Sequence, residues 1–216
     1  MMKKIYAAII CIFIVLLIIG CGRPLAKNFY ILNFVPDRLE NRRSQTPYPI
    51  TLRLRPFAIE RAYARTNMVY RLNPFQLDYY PDHLWAVRPA DMITDLISNH
   101  LESIQLVRTL VRRLDERGVP DFELSGTVLA IEEFDSGDFW YAHLRIAVVL
   151  TDFRTGQAVY SRIFSNTRRT ESKTPLSVVK TLSEIMDFTS SNLMRDLDNF
   201  FYGALMADRG VGEDTK

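Results

Sequence analysis

The sequence predicts a single α/β domain: a β-sheet that includes a C-terminal three-stranded antiparallel meander, with two main helices packed on it. Three observations carry this reading. From Trp140 to Leu150 every even position is apolar (Trp140, Ala142, Leu144, Ile146, Val148, Leu150), the period-two pattern of a half-buried strand. Ile93, Leu96, Ile97, His100, Leu101 and Ile104 fall on one stripe at helical spacing. Val179, Leu182, Ile185, Met186, Leu193, Leu197 and Phe200 make a second helical seam, long enough to cross a whole sheet.

Taken in order, the chain opens with Lys3-Lys4, an apolar run from Ile5 to Ile19, and Gly20-Cys21. A positive start, a short apolar centre and a small residue before the cut form a secretory signal. The run is short of the ~20 apolar residues a bilayer-spanning helix needs. Ile18-Ile19-Gly20-Cys21 resembles the lipobox of bacterial lipoproteins, in which the cysteine thiol receives a diacylglycerol and becomes the acylated N-terminus. Residues 1–20 are then a lipoprotein signal peptide, with Cys21 the lipidation site. An uncleaved N-terminal anchor helix is the alternative, and either way the rest of the chain lies outside the cytoplasm.

Residues 21–27 are the lipidated cysteine and a short linker, followed by a domain over 28–206. The six residues from Gly22 to Lys27 span at most roughly 20 Å, which keeps the domain near the membrane. Asn28 to Phe34 reads as a strand covered on both sides, because Phe29-Tyr30-Ile31-Leu32 is apolar in both rows. Pro36 to Pro49 reads as a loop. Ile50, Leu52 and Leu54 alternate with Thr51 and Arg53, and Met68–Leu72 with Gln76–Tyr80 form a hairpin through Asn73-Pro74. Trp85 to Val87 is a brief extended piece, and Arg88-Pro89 opens the first helix, since proline suits the first helical position.

Residues 105–114 fit either a helical extension or a short strand, and Gly118-Val119-Pro120 ends both versions. The meander runs from Phe122 to Thr167, with turns at Asp135–Asp138 and Asp152–Gly156. The apolar row of its first strand moves from Phe122 and Leu124 to Leu129 and Ile131, which predicts a bulge near Gly126. Thr174-Pro175 caps the last helix, Gly203 ends it, and 207–216 is a polar, disordered tail.

Composition narrows the function. The sequence has 27 basic and 25 acidic residues; without Lys3 and Lys4 the two signs are equal, so no basic surface points to nucleic acid. The arginine pairs Arg42-Arg43, Arg112-Arg113 and Arg168-Arg169 read as solvated charges. Of the two cysteines, Cys11 leaves with the signal and Cys21 carries lipid, so none remains for a disulfide, a metal or a nucleophile. No cofactor is implied beyond the covalent lipid on Cys21.

His100 reads as a core histidine on the helical stripe, and His143 as an exposed strand residue. His83 lies in the denser cluster Tyr79-Tyr80-Pro81-Asp82-His83, without the spacing of a metal site. Glu132 and Glu133 point to opposite faces of a strand, and Asp135-Ser136-Gly137-Asp138 is hairpin-turn chemistry rather than a calcium loop. No nucleophile elbow or phosphate-binding glycine loop occurs, so the chain is expected not to be an enzyme.

Tyr30-Ile31-Leu32, Met68-Val69-Tyr70-Arg71, Leu77-Asp78-Tyr79-Tyr80 through His83-Leu84-Trp85, and the Pro89 that opens a helix resemble, in that order, the ABC-type transport auxiliary lipoproteins. The resemblance covers nearly the whole mature chain. Residues 105–121 depart from it, lacking the glycine-bearing turn that usually follows the first helix. It implies an α/β domain with a mixed sheet and helices packed on it. It also implies an accessory role beside an ABC permease, its ATPase and an MCE-domain protein, moving lipids or other hydrophobic molecules across the envelope. A structural or assembly lipoprotein of the outer membrane, without a transport system, is the alternative; a homo-oligomer is left open. Gly22, where an aspartate would favour inner-membrane retention, points to the outer membrane. Tyr79, Tyr80, His83 and Trp85 are the candidate partner-binding residues, with Phe139, Tyr141, His143 and Arg145 as a second surface.

Overall fold

A computed structural model describes residues 26–36, 39, 41–112 and 119–211. In chain order they form β1 (Asn28–Tyr30), β2 (Tyr48–Leu54), β3 (Ala58–Ile59), β4 (Asn67–Asn73), β5 (Gln76–Trp85), α1 (Pro89–Ser103), β6 (Val107–Val111), β7 (Phe122–Asp135), β8 (Trp140–Asp152), β9 (Ala158–Arg169) and α2 (Pro175–Val211). The sheet is mixed and organised on β7. One edge of β7 pairs antiparallel with β8 along its full length, from Phe122 opposite Asp152 to Asp135 opposite Trp140. Its other edge takes three strands end to end, all parallel: β2 at Leu52–Leu54, β3 at Ala58–Ile59 and β4 at Tyr70–Arg71. Beyond them lie β6 on β2, β5 on β4 and β1 on β5, while β9 continues from β8.

The period-two row of β8 is the floor of the core. Ala142, Leu144, Ile146, Val148 and Leu150 are all buried, and α2 packs over β8 and β9 with Leu182, Ile185, Met186, Leu193, Leu197 and Phe201 inward. Full burial of one such aliphatic side chain stabilises by about 1.5–3 kcal/mol. α2 starts as its sequence dictates: Thr174 Oγ1 accepts the Ser177 N–H at 3.3 Å, and Pro175 takes the first helical position. α1 likewise begins at Pro89, and buries Ile93, Ile97, His100 and Leu101.

Some expectations need correction, and one alternative left open is resolved. The first strand ends at Tyr30 and is covered on one side only, since it is the outermost strand and Phe29 and Ile31 are exposed. Residues 107–111 form a strand, β6, although no glycine precedes it. Gln105 itself takes the left-handed conformation (φ 48°) that ends α1. Arg42, rather than being solvated, donates to the carbonyls of Ile104, Gln105 and Leu106 at 2.8–3.2 Å, a cation satisfying the C-terminal end of that helix. Residues 113–118 lie outside the described residues.

The bulge predicted near Gly126 sits three residues on, at Leu129, between Val128 and Ala130, and moves the inward row from Leu124 and Val128 to Ile131. Gly126 serves packing: a Cβ there would lie 2.3 Å from Phe57 Cε2. Gly203 does not end α2, which runs to Val211 through residues expected to be a tail. Open space surrounds Gly203, so no close approach there forces the chain to turn.

Candidate functional site

The C-terminal half of β7 carries two adjacent carboxylates into the sheet, Glu132 (5% exposed) and Glu133 (1%). Adjacent strand residues point to opposite faces. Glu133 lies opposite Ala142, on the helix-covered face, and Glu132 opposite His143, on the other. Each has its own set of partners, drawn from β4, β5 and the loop before them and, for Glu132, also from β8.

On the helix-covered side, Tyr80 of β5 donates its hydroxyl proton between both oxygens of Glu133, at 3.0 and 3.1 Å. The Tyr80 ring packs at 4.7 Å from Tyr70 and edge-on at 5.2 Å from His83. His83 Nδ1 in turn lies 2.9 Å from the Tyr30 hydroxyl. Tyr30 thus joins Tyr70, Tyr80 and His83 of the later hairpin in one aromatic cluster around a buried acid. Burial pushes the Glu133 carboxyl up to about 7, with the Asp135 charge adding to the rise and the Tyr80 hydrogen bond opposing it. Burial, followed by the Glu133 charge, raises the Tyr80 phenol well above its ordinary value.

On the other side, Glu132 accepts hydrogen bonds from the Tyr63 hydroxyl at 2.6 Å and Arg71 Nε at 3.0 Å, and His143 Nδ1 lies 3.3 Å away. Burial alone would raise this carboxyl. The bonds from His143, Arg71 and Tyr63 outweigh it and hold Glu132 at about 2, ionised at any physiological pH. Arg71 also reaches the Tyr63 oxygen and the Pro74 carbonyl, closing the network. Glu132, His143 and Thr167 stand in direct register across β7, β8 and β9. With Arg71, Pro74 and Phe134 they line a shallow cavity of about 510 Å³. Glu132 spends its acceptor capacity on the protein itself, so it orients His143 and anchors β4 to β7 rather than standing ready as a base.

The residues singled out from sequence are distributed as follows. Tyr79 and Tyr80 lie on β5, the expected second strand of the hairpin, which continues beyond Tyr80 to Trp85. Tyr79 is half-buried with the Arg65 guanidinium 3.6 Å above its ring. His83 is half-buried within the cluster, and Trp85, at 2% exposure, belongs to the core. Of the second surface, Phe139 stacks under Arg169 and Tyr141 packs near Phe134. His143, expected on an exposed face, is tied to Glu132 instead. His100 is buried as expected, with Nδ1 2.7 Å from the Ser190 hydroxyl. Cys21 lies outside the described residues. Glu132 and Glu133 are the residues that sequence reasoning passed over; the signal was two acids directly after Val128-Leu129-Ala130-Ile131, inside a strand and before its turn.

No curated protein matches the chain. Among solved structures, protein XCC0632 from Xanthomonas campestris, of family DUF330, superposes with a TM-score of 0.69 at 16% identity, covering 84% of this chain and 99% of that one. An uncharacterized protein gives 0.61 at 18% identity, covering 80% and 99%. The hypothetical protein CT253 from Chlamydia trachomatis gives 0.50 at 8% identity, covering 70% and 97%. At such identities the likeness is one of fold. The family model described as the ABC-type transport auxiliary lipoprotein component matches residues 30–193, from the Tyr30 of the aromatic cluster to the buried Leu193 of α2. The chain belongs to the ABC-type transport auxiliary lipoprotein family, a family of membrane-anchored proteins of the cell envelope.

Proposed function

We propose that the protein is the lipid-anchored accessory subunit of an ABC transport system with an MCE-domain partner, which moves lipids or other hydrophobic molecules across the envelope. It acts by binding the partner complex, and it sits in the outer membrane facing the periplasm. The observation that carries this reading is the family match over residues 30–193, which spans the sheet and most of the helical layer. The lipobox ending at Cys21 supports it, and Gly22 after that cysteine supports the outer-membrane side of it.

The surface proposed for docking is the outer edge of β5. β1 covers that edge only from His83 to Trp85, and among the described residues nothing pairs with it from Gln76 to Asp82. An open strand edge can accept a strand from a partner, with flanking side chains giving specificity. Tyr79 and His83 flank it; Tyr80 is committed to Glu133, and Trp85 is too deep to reach. Affinity purification of the tagged protein from crosslinked membranes tests the reading. MCE-domain, permease and ATPase subunits are expected to be enriched together. Tyr79→Ala with His83→Ala is expected to lower that enrichment at least several-fold while the thermal midpoint stays near that of the parent. Enrichment of other outer-membrane components without any transport subunit would replace the proposal with an assembly role.

A further inference from the structure

Residues 29–35 alternate in burial beyond the end of β1: Tyr30, Leu32 and Phe34 turn into the domain, while Phe29, Ile31, Asn33 and Val35 turn out. Three of the four outward residues are large and apolar, and they are 63%, 55% and 81% exposed. A neighbouring segment adds to the row. The Ala86 N–H donates to the Tyr30 carbonyl at 2.8 Å, which brings the exposed Val87 alongside. Both rows of this segment are apolar, yet only one is covered by the domain.

The position of the row in the chain says what covers the other. Phe29 follows Cys21 by eight residues, so at most roughly 28 Å of chain separates it from the acylated thiol. Between them the only charged residues are Arg23 and Lys27, both basic, which suits an anionic lipid surface. Apolar side chains held beside an anchor partition into the interfacial region, where they add to the membrane affinity of the lipid chains. We infer that Phe29, Ile31 and Val35, with Val87, are seated in the headgroup region of the bilayer that holds Cys21. The domain then stands on the β1 edge of its sheet. Phe75, fully exposed at the tip of the β4–β5 hairpin, marks the opposite end of β5, roughly 30 Å away. This inference rests on the reading that Cys21 carries the lipid.

The test uses the acylated chain purified from membranes and returned to vesicles of equimolar phosphatidylethanolamine and phosphatidylglycerol. With Cys11 removed and Cys21 in thioether linkage, an introduced cysteine is the one free thiol, and a nitroxide is attached to Phe29→Cys, Ile31→Cys or Phe75→Cys. Collision with oxygen relative to a water-soluble nickel chelate is expected to be several-fold higher at positions 29 and 31 than at 75. Equal, water-like ratios at all three positions in protein that still floats with the vesicles overturn the inference alone. Labels at 29 and 31 that are shielded from both reagents mean that a protein surface covers the row, a second copy or a partner, and overturn it as well. Protein that fails to float overturns the anchoring reading and this inference with it.

Discussion

Glu132 and Glu133 are neighbours in sequence, yet their carboxyl groups lie on opposite faces of the sheet and are displaced in opposite directions, to about 2 and about 7. The difference comes from partners, not from depth, since both are at least 95% buried. Glu132 has an arginine, a tyrosine and a histidine around it; Glu133 has one tyrosine hydroxyl.

That difference sets the pH dependence of stability. The folded-state value of Glu133 is raised from 4.5 to about 7, so its contribution is complete below about 4.5 and is lost as the pH rises through about 7. Glu133→Gln keeps an acceptor for Tyr80 without a charge to bury. It is expected to be more stable than the parent at pH 8, by about 1–3 kcal/mol, and to show no decline between pH 4.5 and 7. Urea unfolding at a series of pH values measures both. A Glu133→Gln variant that tracks the parent across that window would show Glu133 to be hydrated.

Glu132 works with the opposite sign. Its folded value is lowered, so the stability it provides is present above about 4.5 and is lost as the pH falls toward about 2. Arg71→Ala removes the cation and one donor while leaving the carboxylate buried. It is expected to cost about 2–4 kcal/mol at neutral pH, since Arg71 is itself partly solvated, and to shift the acid-unfolding midpoint to higher pH. Circular dichroism during acid titration reads this directly. An unchanged midpoint would mean that Tyr63 and His143 suffice.

Gly126→Ala probes the strand–loop packing. The added Cβ would overlap the Phe57 ring, so the variant is expected to lose about 1–3 kcal/mol. Phe57→Leu in the same chain relieves the overlap, and the two changes together should cost less than the sum of the two alone. A double-mutant cycle in urea gives the coupling. Strict additivity would mean that the ring simply swings aside.

Cys21→Ser is expected to abolish labelling by a radioactive fatty acid and to leave a slower-migrating precursor that retains residues 1–20. The unaltered chain, with Gly22 after its cysteine, is expected with outer-membrane markers on a density gradient. Fatty-acid label on the serine variant, or recovery of the mature chain only with inner-membrane markers, would contradict these expectations.

The elements with one-sided periodicity were legible in the sequence, because one packed face suffices to write the pattern. The even row of β8 and the seams of α1 and α2 are of this kind. What was illegible depends on partners distant in the chain. β6 is separated from α1 by the positive φ of Gln105 and by Arg42, a side chain more than sixty residues upstream. The Glu132–Glu133 pair resembles any acidic strand end until Tyr63, Arg71 and Tyr80 arrive from β4, β5 and the loop before them. The aromatic motifs, by contrast, stood out in the sequence without showing that their side chains meet. Tyr30, Tyr70, Tyr80 and His83 meet because β1, β5, β4 and β7 are adjacent in the sheet.

The end-to-end parallel pairing of β2, β3 and β4 on a single strand also governs how the chain acquires its shape. All three precede β7, so none of them can find its neighbour on that edge until residues 122–135 have emerged. A chain threaded N-terminus first therefore carries unsatisfied strand edges through its whole first half, and closing them requires loops of roughly sixty to seventy residues. Loop closure of that length makes folding slow, and the exposed edges in the meantime invite pairing with other chains. The β4–β5 hairpin can close early, being local. The rest must be kept apart by a chaperone or by dilution until β7 arrives, and truncation anywhere before Asp135 should yield an aggregating fragment rather than a smaller folded domain.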